Sequence, residues 1–237
     1  WSRLAAEKKA RQLEVILQKW LISVSPNSTL DVTYYPEKCG ISLQTRSKSR
    51  SVTTAFYKQG IVSQELVIAA IDPIVCRGNS SRLTRKGQGE VVGPLHGLPI
   101  SLKDQLCIKG LEATVGYVGQ IGKYAEKNAV LVDILHECDT VPLVRINTAN
   151  VVSESAHHIF GRTTNPFNCH SGGSLGGAGA FISTKGSPLN VRSEVGGWLW
   201  RYVCRLYGLR PSSGRPPTSG AVTSLDGPDC LTGSLPP

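Results

Sequence analysis

The sequence predicts an α/β fold, and three observations carry that expectation. Apolar residues recur at helical spacings of three and four within 2–24, 51–71 and 128–138. Short apolar runs bounded by glycine or proline stand at 98–102, 141–144 and 181–191. Helical and extended patterns alternate along one chain, which argues for helices laid against a sheet. With a hydrophobic fraction of 40% over 237 residues there is enough apolar surface to build a core.

The strongest helical pattern runs through 2–24. Leu4, Ala5, Leu13, Ile16, Leu17, Trp20, Leu21 and Val24 form an apolar stripe, while Lys8, Lys9, Arg11 and Lys19 take the opposite, solvated face. Pro26 and Asn27-Ser28 end it. Residues 28–50 are irregular, so 1–50 is read as a helix plus a basic segment and 51–237 as the folded domain. In 51–71 the expected buried face is Ala55, Phe56, Ile61, Val62, Leu66, Val67 and Ala70, and 71–88 is expected to be a loop. Leu98–Leu102 reads as a strand, with Lys103 placed just beyond its carboxyl end. A lysine there is awkward for a plain core. The next helix, 128–138, is expected to turn Val130, Leu131, Ile134 and Leu135 inward, and Val141–Val144 makes another buried strand. Residues 181–191 are expected to be extended, and Ala221–Leu225 supplies a last short strand.

The bulk properties exclude several classes. Net charge is +9, but the basic residues are scattered, with mild clusters at Lys8-Lys9-Arg11 and Arg46–Arg50, so no nucleic-acid partner is expected. Seven cysteines stand far apart, none at CxxC spacing, which gives no metal site and argues for reduced thiols in a cytoplasmic setting. No apolar run reaches the length of a membrane span and no leader pattern opens the sequence, so no membrane partner is expected. No cofactor motif is read, and oligomeric state is not legible.

The stretch 165–215 is dense in glycine and serine yet carries apolar residues that a flexible linker lacks, among them Phe181, Ile182, Leu189, Val191 and Val195. Its glycines fall in pairs at 172–173, 176–177 and 196–197, where backbone can approach a ligand closely. The runs Gly172-Gly173-Ser174-Leu175-Gly176-Gly177, Gly186-Ser187-Pro188-Leu189 and Ser193-Glu194-Val195-Gly196-Gly197-Trp198 follow in order. With Val92–Asp104 (VGPLHGLPISLKD), Glu154–Asn165 (ESAHHIFGRTTN) and Leu206–Pro211 (LYGLRP), this chain resembles the amidase-signature hydrolases, in their fungal acetamidase-like branch. The resemblance implies a large mixed β-sheet covered by helices, of which 51–235 takes in about the first half, so a domain lacking its C-terminal half is expected.

The same resemblance implies a Ser–cis-Ser–Lys triad that hydrolyses small carboxamides. Lys103 is then the base, Ser174 the bridging cis-serine, and Val195, Gly196 and Gly197 supply oxyanion-hole amides. The chemistry is sound in outline: a serine hydroxyl needs an adjacent base, a lysine withdrawn from water can be one, and a bridging hydroxyl both accepts and donates. One departure outweighs the matches. The position of the nucleophilic serine is held by Trp198, whose indole has an N–H and no nucleophilic oxygen. Leu175, Ala178 and Arg192 also depart from the family's serine, glutamate and glycine, and Arg145 stands where lysine is usual. The expectation is therefore an amidase by descent that is catalytically impaired. The alternatives are a binding protein that keeps an amide pocket or is completed by a partner chain, and an ordinary amidase whose sequence is wrong near 198. Cys169, Ser187, Ser193 and the pair His157-His158 are the other residues weighed as replacements, and no motif sets any of them beside the oxyanion amides.

Overall fold

The computed structural model describes residues 2–21, 49–67, 70–73, 93–147, 156–157, 159, 161–167, 176–194, 206–209, 211–212, 214–222 and 230–235. In chain order these form helices α1 (Ser2–Leu21) and α2 (Ser49–Val67), strands β1 (Ala70–Pro73) and β2 (Pro99–Lys103), helix α3 (Val130–Glu137) and strand β3 (Val141–Ile146). The short strands β4 (Ala156–His157) and β5 (Gly161–Arg162) follow, then helix α4 (Gly176–Ser183) and strands β6 (Asn190–Glu194), β7 (Tyr207–Leu209) and β8 (Cys230–Leu235).

Six strands make one mixed sheet in the order β1-β3-β2-β6-β8-β7. Its centre is parallel: β2 lies between β3 and β6, with Lys103 opposite Ile146 and Leu102 opposite both Arg145 and Val191. The flanks are antiparallel, β1 against β3 and β8 against both β6 and β7. The β2–α3–β3 segment is thus a βαβ unit, the connection that two neighbouring parallel strands require.

Side chains alternate across a strand, so the register sorts the sheet into two faces. Ile100 and Leu102 belong to the cluster with Leu106, Ala129, Val132 and Leu135, which α3 covers. Val144 and Ile146 belong to the cluster with Phe56, Val67, Ala178, Ala180 and Phe181, which α2 and α4 cover. Ser101 pairs with Val144 and Lys103 with Ile146, which puts this serine and lysine on the α2/α4 face.

The mixed α/β architecture follows the sequence reading, and several elements differ from it in detail. Residues 70–73, expected to be helix end and loop, form β1, where they satisfy the free edge of β3. The first part of 181–191 is not extended: Gly176–Ser183 is a helix, apolar on every side and buried from Gly177 to Ile182, so no amphipathic period marks it. In α3 the buried residues are Val132 and Leu135, while Val130 and Ile134 are exposed. In α1, Leu4 of the expected apolar stripe is exposed, and Lys8 of the expected solvated face is buried together with Gln12, while Lys9 and Arg11 are exposed as expected. Residues 223–225 of the expected last strand lie outside the described residues. Among the described residues no helix is long and apolar enough to cross a membrane.

Candidate functional site

The carboxyl ends of β2, β3 and β6 lie at one edge of the parallel centre, where α/β sheets open their ligand crevices. Lys103 is the last residue of β2 and only 2% exposed. The strand end is fixed by its neighbour: the Asp104 N–H donates to the Ile146 carbonyl oxygen at 3.0 Å. Below it, the seam between β2 and β6 is polar. Asn190 Nδ2 donates to the Ser101 carbonyl oxygen at 3.1 Å and to Ser101 Oγ at 3.0 Å, and the Ser101 N–H donates to the Leu189 carbonyl oxygen at 2.9 Å.

The start of α4 presses on the same place. A Cβ on Gly177 would lie 2.4 Å from the Asn147 carbonyl oxygen and 2.9 Å from Ile146 Cγ2, so only glycine permits this approach. Ile146 is the register partner of Lys103, which brings the glycine-rich entry to α4 and the lysine to one neighbourhood. Asn147 is itself buried and donates through Nδ2 to Thr163 Oγ1 at 2.8 Å.

A charged frame surrounds the lysine's backbone. Asp104 and Arg145 are both fully buried, with Arg145 Nη1 2.9 Å from Asp104 Oδ1. The other carboxylate oxygen of Asp104 accepts from Thr114 Oγ1 at 3.0 Å and from the Val115 N–H at 2.7 Å. Val115 is held at φ 47°, a left-handed conformation that a β-branched residue rarely adopts, and Gly116 follows at φ 85°. Arg145 Nη1 also donates to the Glu112 carbonyl oxygen. The Glu112 carboxylate accepts the Gly122 N–H at 2.9 Å and forms an ion pair with Lys8 of α1. Beside this frame the Cys107 thiol is pushed above its ordinary value, chiefly by burial; the Asp104 carboxylate adds to the shift and the Arg145 guanidinium opposes it.

Of the residues singled out from sequence, Lys103 stands buried at the carboxyl end of β2. Ser174, Val195, Gly196, Gly197 and Trp198 lie outside the described residues, as do Leu175 and Cys169. Their chain neighbours are described: Gly176 opens α4, and Glu194 closes β6. Ser187, weighed as a substitute nucleophile, is buried and donates its hydroxyl to the Leu189 carbonyl oxygen at 2.8 Å. Ala178 packs in the apolar cluster under α4, and Arg192 is buried in β6. Sequence reasoning passes over Asp104 and Glu112, and it sets Lys8 on the solvated face of its helix, where the structure buries it. The signal was present for Asp104, a carboxylate next to a lysine at the end of an apolar strand. None pointed to Lys8, whose partner is 104 residues away. No group of three or more His, Cys, Asp or Glu side chains among the described residues is arranged to hold a metal ion.

Comparison with known proteins adds the following. A family model described as Amidase matches residues 51–231. An acetamidase of Aspergillus oryzae is 34% identical over 262 residues, covering 98% of this chain and 48% of that protein. An acetamidase of Emericella nidulans is also 34% identical, over 98% of this chain and 47% of its own length. Among solved structures, a fatty acid amide hydrolase superposes with a TM-score of 0.81 at 24% identity, covering 99% of this chain and 48% of that one. The chain spans about half the length of the curated relatives it matches.

Proposed function

The chain belongs to the amidase family, and from that premise we propose that its site descends from one that hydrolyses small carboxamides and that Trp198 has silenced it. In this reading Lys103 is the base, Ser174 the bridging hydroxyl and position 198 the place of the nucleophile. The observation that carries the reading is the burial of Lys103 at the carboxyl end of β2, on the face where the glycine-rich entry to α4 is pressed against Ile146 and Asn147.

The chemistry follows from the groups. A hydroxyl at position 198 attacks the amide carbonyl while Ser174 takes its proton and passes its own to the Lys103 amine. The negative oxygen of the tetrahedral intermediate is met by the N–H groups of Val195, Gly196 and Gly197. The proton returns to the departing nitrogen, ammonia leaves, and water attacks the acyl ester to release a carboxylate. Trp198 removes the first step. Indole offers no oxygen to attack with, and it is much larger than a serine side chain. Loss of the nucleophile in a serine hydrolase costs about a millionfold in turnover.

The test is ammonia release from a short aliphatic amide, with Trp198→Ser run in parallel. Expected are no release above background from the chain and measurable release from Trp198→Ser. Turnover by the unaltered chain would refute silencing and send the search to another nucleophile, Cys169 first. Silence from both would refute the persistence of a working Lys103–Ser174 relay. Amide binding without turnover, read by calorimetry on the unaltered chain, would favour a binding role for the same pocket.

A further inference from the structure

We propose that Lys8 of α1 is a positioning residue for the Lys103 strand end, acting through Glu112 and the 112–122 segment. This inference rests on the reading of Lys103 as the site's base. α1 lies before the residues that the family model matches, and its amino-terminal turns hold a cation where an exposed helix would have none. Lys8 is 6% exposed and Glu112 4%, so neither charge is stabilised by water. A buried charge is tolerated only when paired and hydrogen-bonded, and each of these has its partner.

The contacts then run in an unbroken series. Lys8 Nζ meets Glu112 Oε2, and Glu112 Oε1 accepts the Gly122 N–H. These two contacts fasten both ends of the 112–122 segment. The Glu112 carbonyl oxygen takes Arg145 Nη1, and Arg145 faces Asp104 across 2.9 Å. Asp104 grips Thr114 and the left-handed Val115 in the same segment. It is also the residue directly after Lys103, and its N–H is bonded to Ile146. The left-handed turn at Val115 persists because the surrounding structure over-determines it. Lys8 is the one tie in this series that comes from α1. Releasing it leaves Glu112 as a buried, uncompensated carboxylate, and the least costly relief is for the segment to swing toward water. Asp104 then loses two donors, and the end of β2 loosens.

The test reads amide hydrogen exchange in the full chain carrying Lys8→Met, and it needs no turnover. A failure of the amidase reading, seen as turnover by the unaltered chain or as silence from Trp198→Ser, is therefore distinguishable from a failure of this one. The amides of Gly122, Val115 and Asp104 are expected to exchange about a hundredfold faster, while those of Val132 and Leu135 in α3 keep their rates. Lys8→Arg, which keeps the charge, is expected to restore slow exchange at Asp104. A rise confined to Gly122, with Asp104 unchanged, would overturn the proposal, because the pair would then hold the loop and not the strand end. Global loss of structure in both Lys8→Met and Lys8→Gln would overturn it as well, since a positioning contact leaves the remaining core folded.

Discussion

The two amino-terminal helices look alike in sequence, and the described contacts that hold them differ in kind. α2 buries Thr53, Phe56, Gly60, Ser63 and Val67 at helical spacings, and Phe56 and Val67 enter the apolar cluster with β3 and α4. α1 buries Lys8 and Gln12 and leaves Leu4 in water. Phe56 and Val67 tie α2 to the core by apolar area removed from solvent, and Lys8 ties α1 to Glu112 by a charge that finds its counter-charge. Apolar packing tolerates small shifts, because dispersion and hydration act without direction. An ion pair in a dry site is directional, and it turns costly when one partner is taken away. The two kinds of contact therefore respond differently to the loss of one partner.

That contrast is open to attack. Phe56→Ala should produce the largest loss, about 3–5 kcal/mol in urea-induced unfolding, because it empties a filled position under α4. A loss below about 1 kcal/mol would mean that α2 is not held by this cluster. Gly177→Ala should cost about 1–3 kcal/mol by the same measurement, since its methyl would meet the Asn147 carbonyl oxygen and has no room to turn aside. Wild-type stability in that variant would show that α4 does not lie so close to β3. On the outer side of α1, Arg3 and Glu7 form an exposed pair at 2.9 Å, so Arg3→Ala should shift the midpoint by no more than about 0.5 kcal/mol. A larger effect would make the solvated face of α1 matter as much as the buried one. The last effect is on reactivity alone. Burial raises the Cys107 thiol, so less thiolate is present at neutral pH and alkylation should accelerate only above the pH at which an ordinary cysteine does. Mass-spectrometric labelling over a pH series checks this, and rapid labelling at neutral pH would contradict it.

Much of the sheet was legible because its strands are continuous apolar runs stopped by glycine or proline. Leu98–Leu102 and Val141–Val144 read correctly for that reason and miss their true ends by one or two residues. β1 escaped notice because four residues ending in proline carry too little pattern, and it takes its form from the open edge of β3. Residues 181–183, the end of α4, read as extended because GGAGAFIS lacks a polar face, and it lacks one because it is enclosed. Leu4 and Lys8 were placed on the wrong sides of α1 because hydropathy ranks residues singly. Only tertiary contact brings Glu112 to Lys8. At the candidate site, the motif around Lys103 singles it out, while Asp104–Arg145 is not legible because its members, one just past β2 and one within β3, lie 41 positions apart in sequence.

The position of β2 in the sheet has a consequence for synthesis on the ribosome. Its first parallel neighbour, β3, arrives by way of the short α3 connection, so the pair can close soon after residue 146 emerges. Its second neighbour begins only at Asn190, and the antiparallel cover for that strand begins only at Cys230. Throughout the interval a nascent chain holds β2 with one flank bare, and pairings between segments so distant in sequence form slowly. Ser101 sits on that bare flank, ready to receive Asn190, and a hydroxyl there is better suited to water than a further valine. The polar seam at the centre of the finished sheet thus lies on the flank of β2 that is filled last.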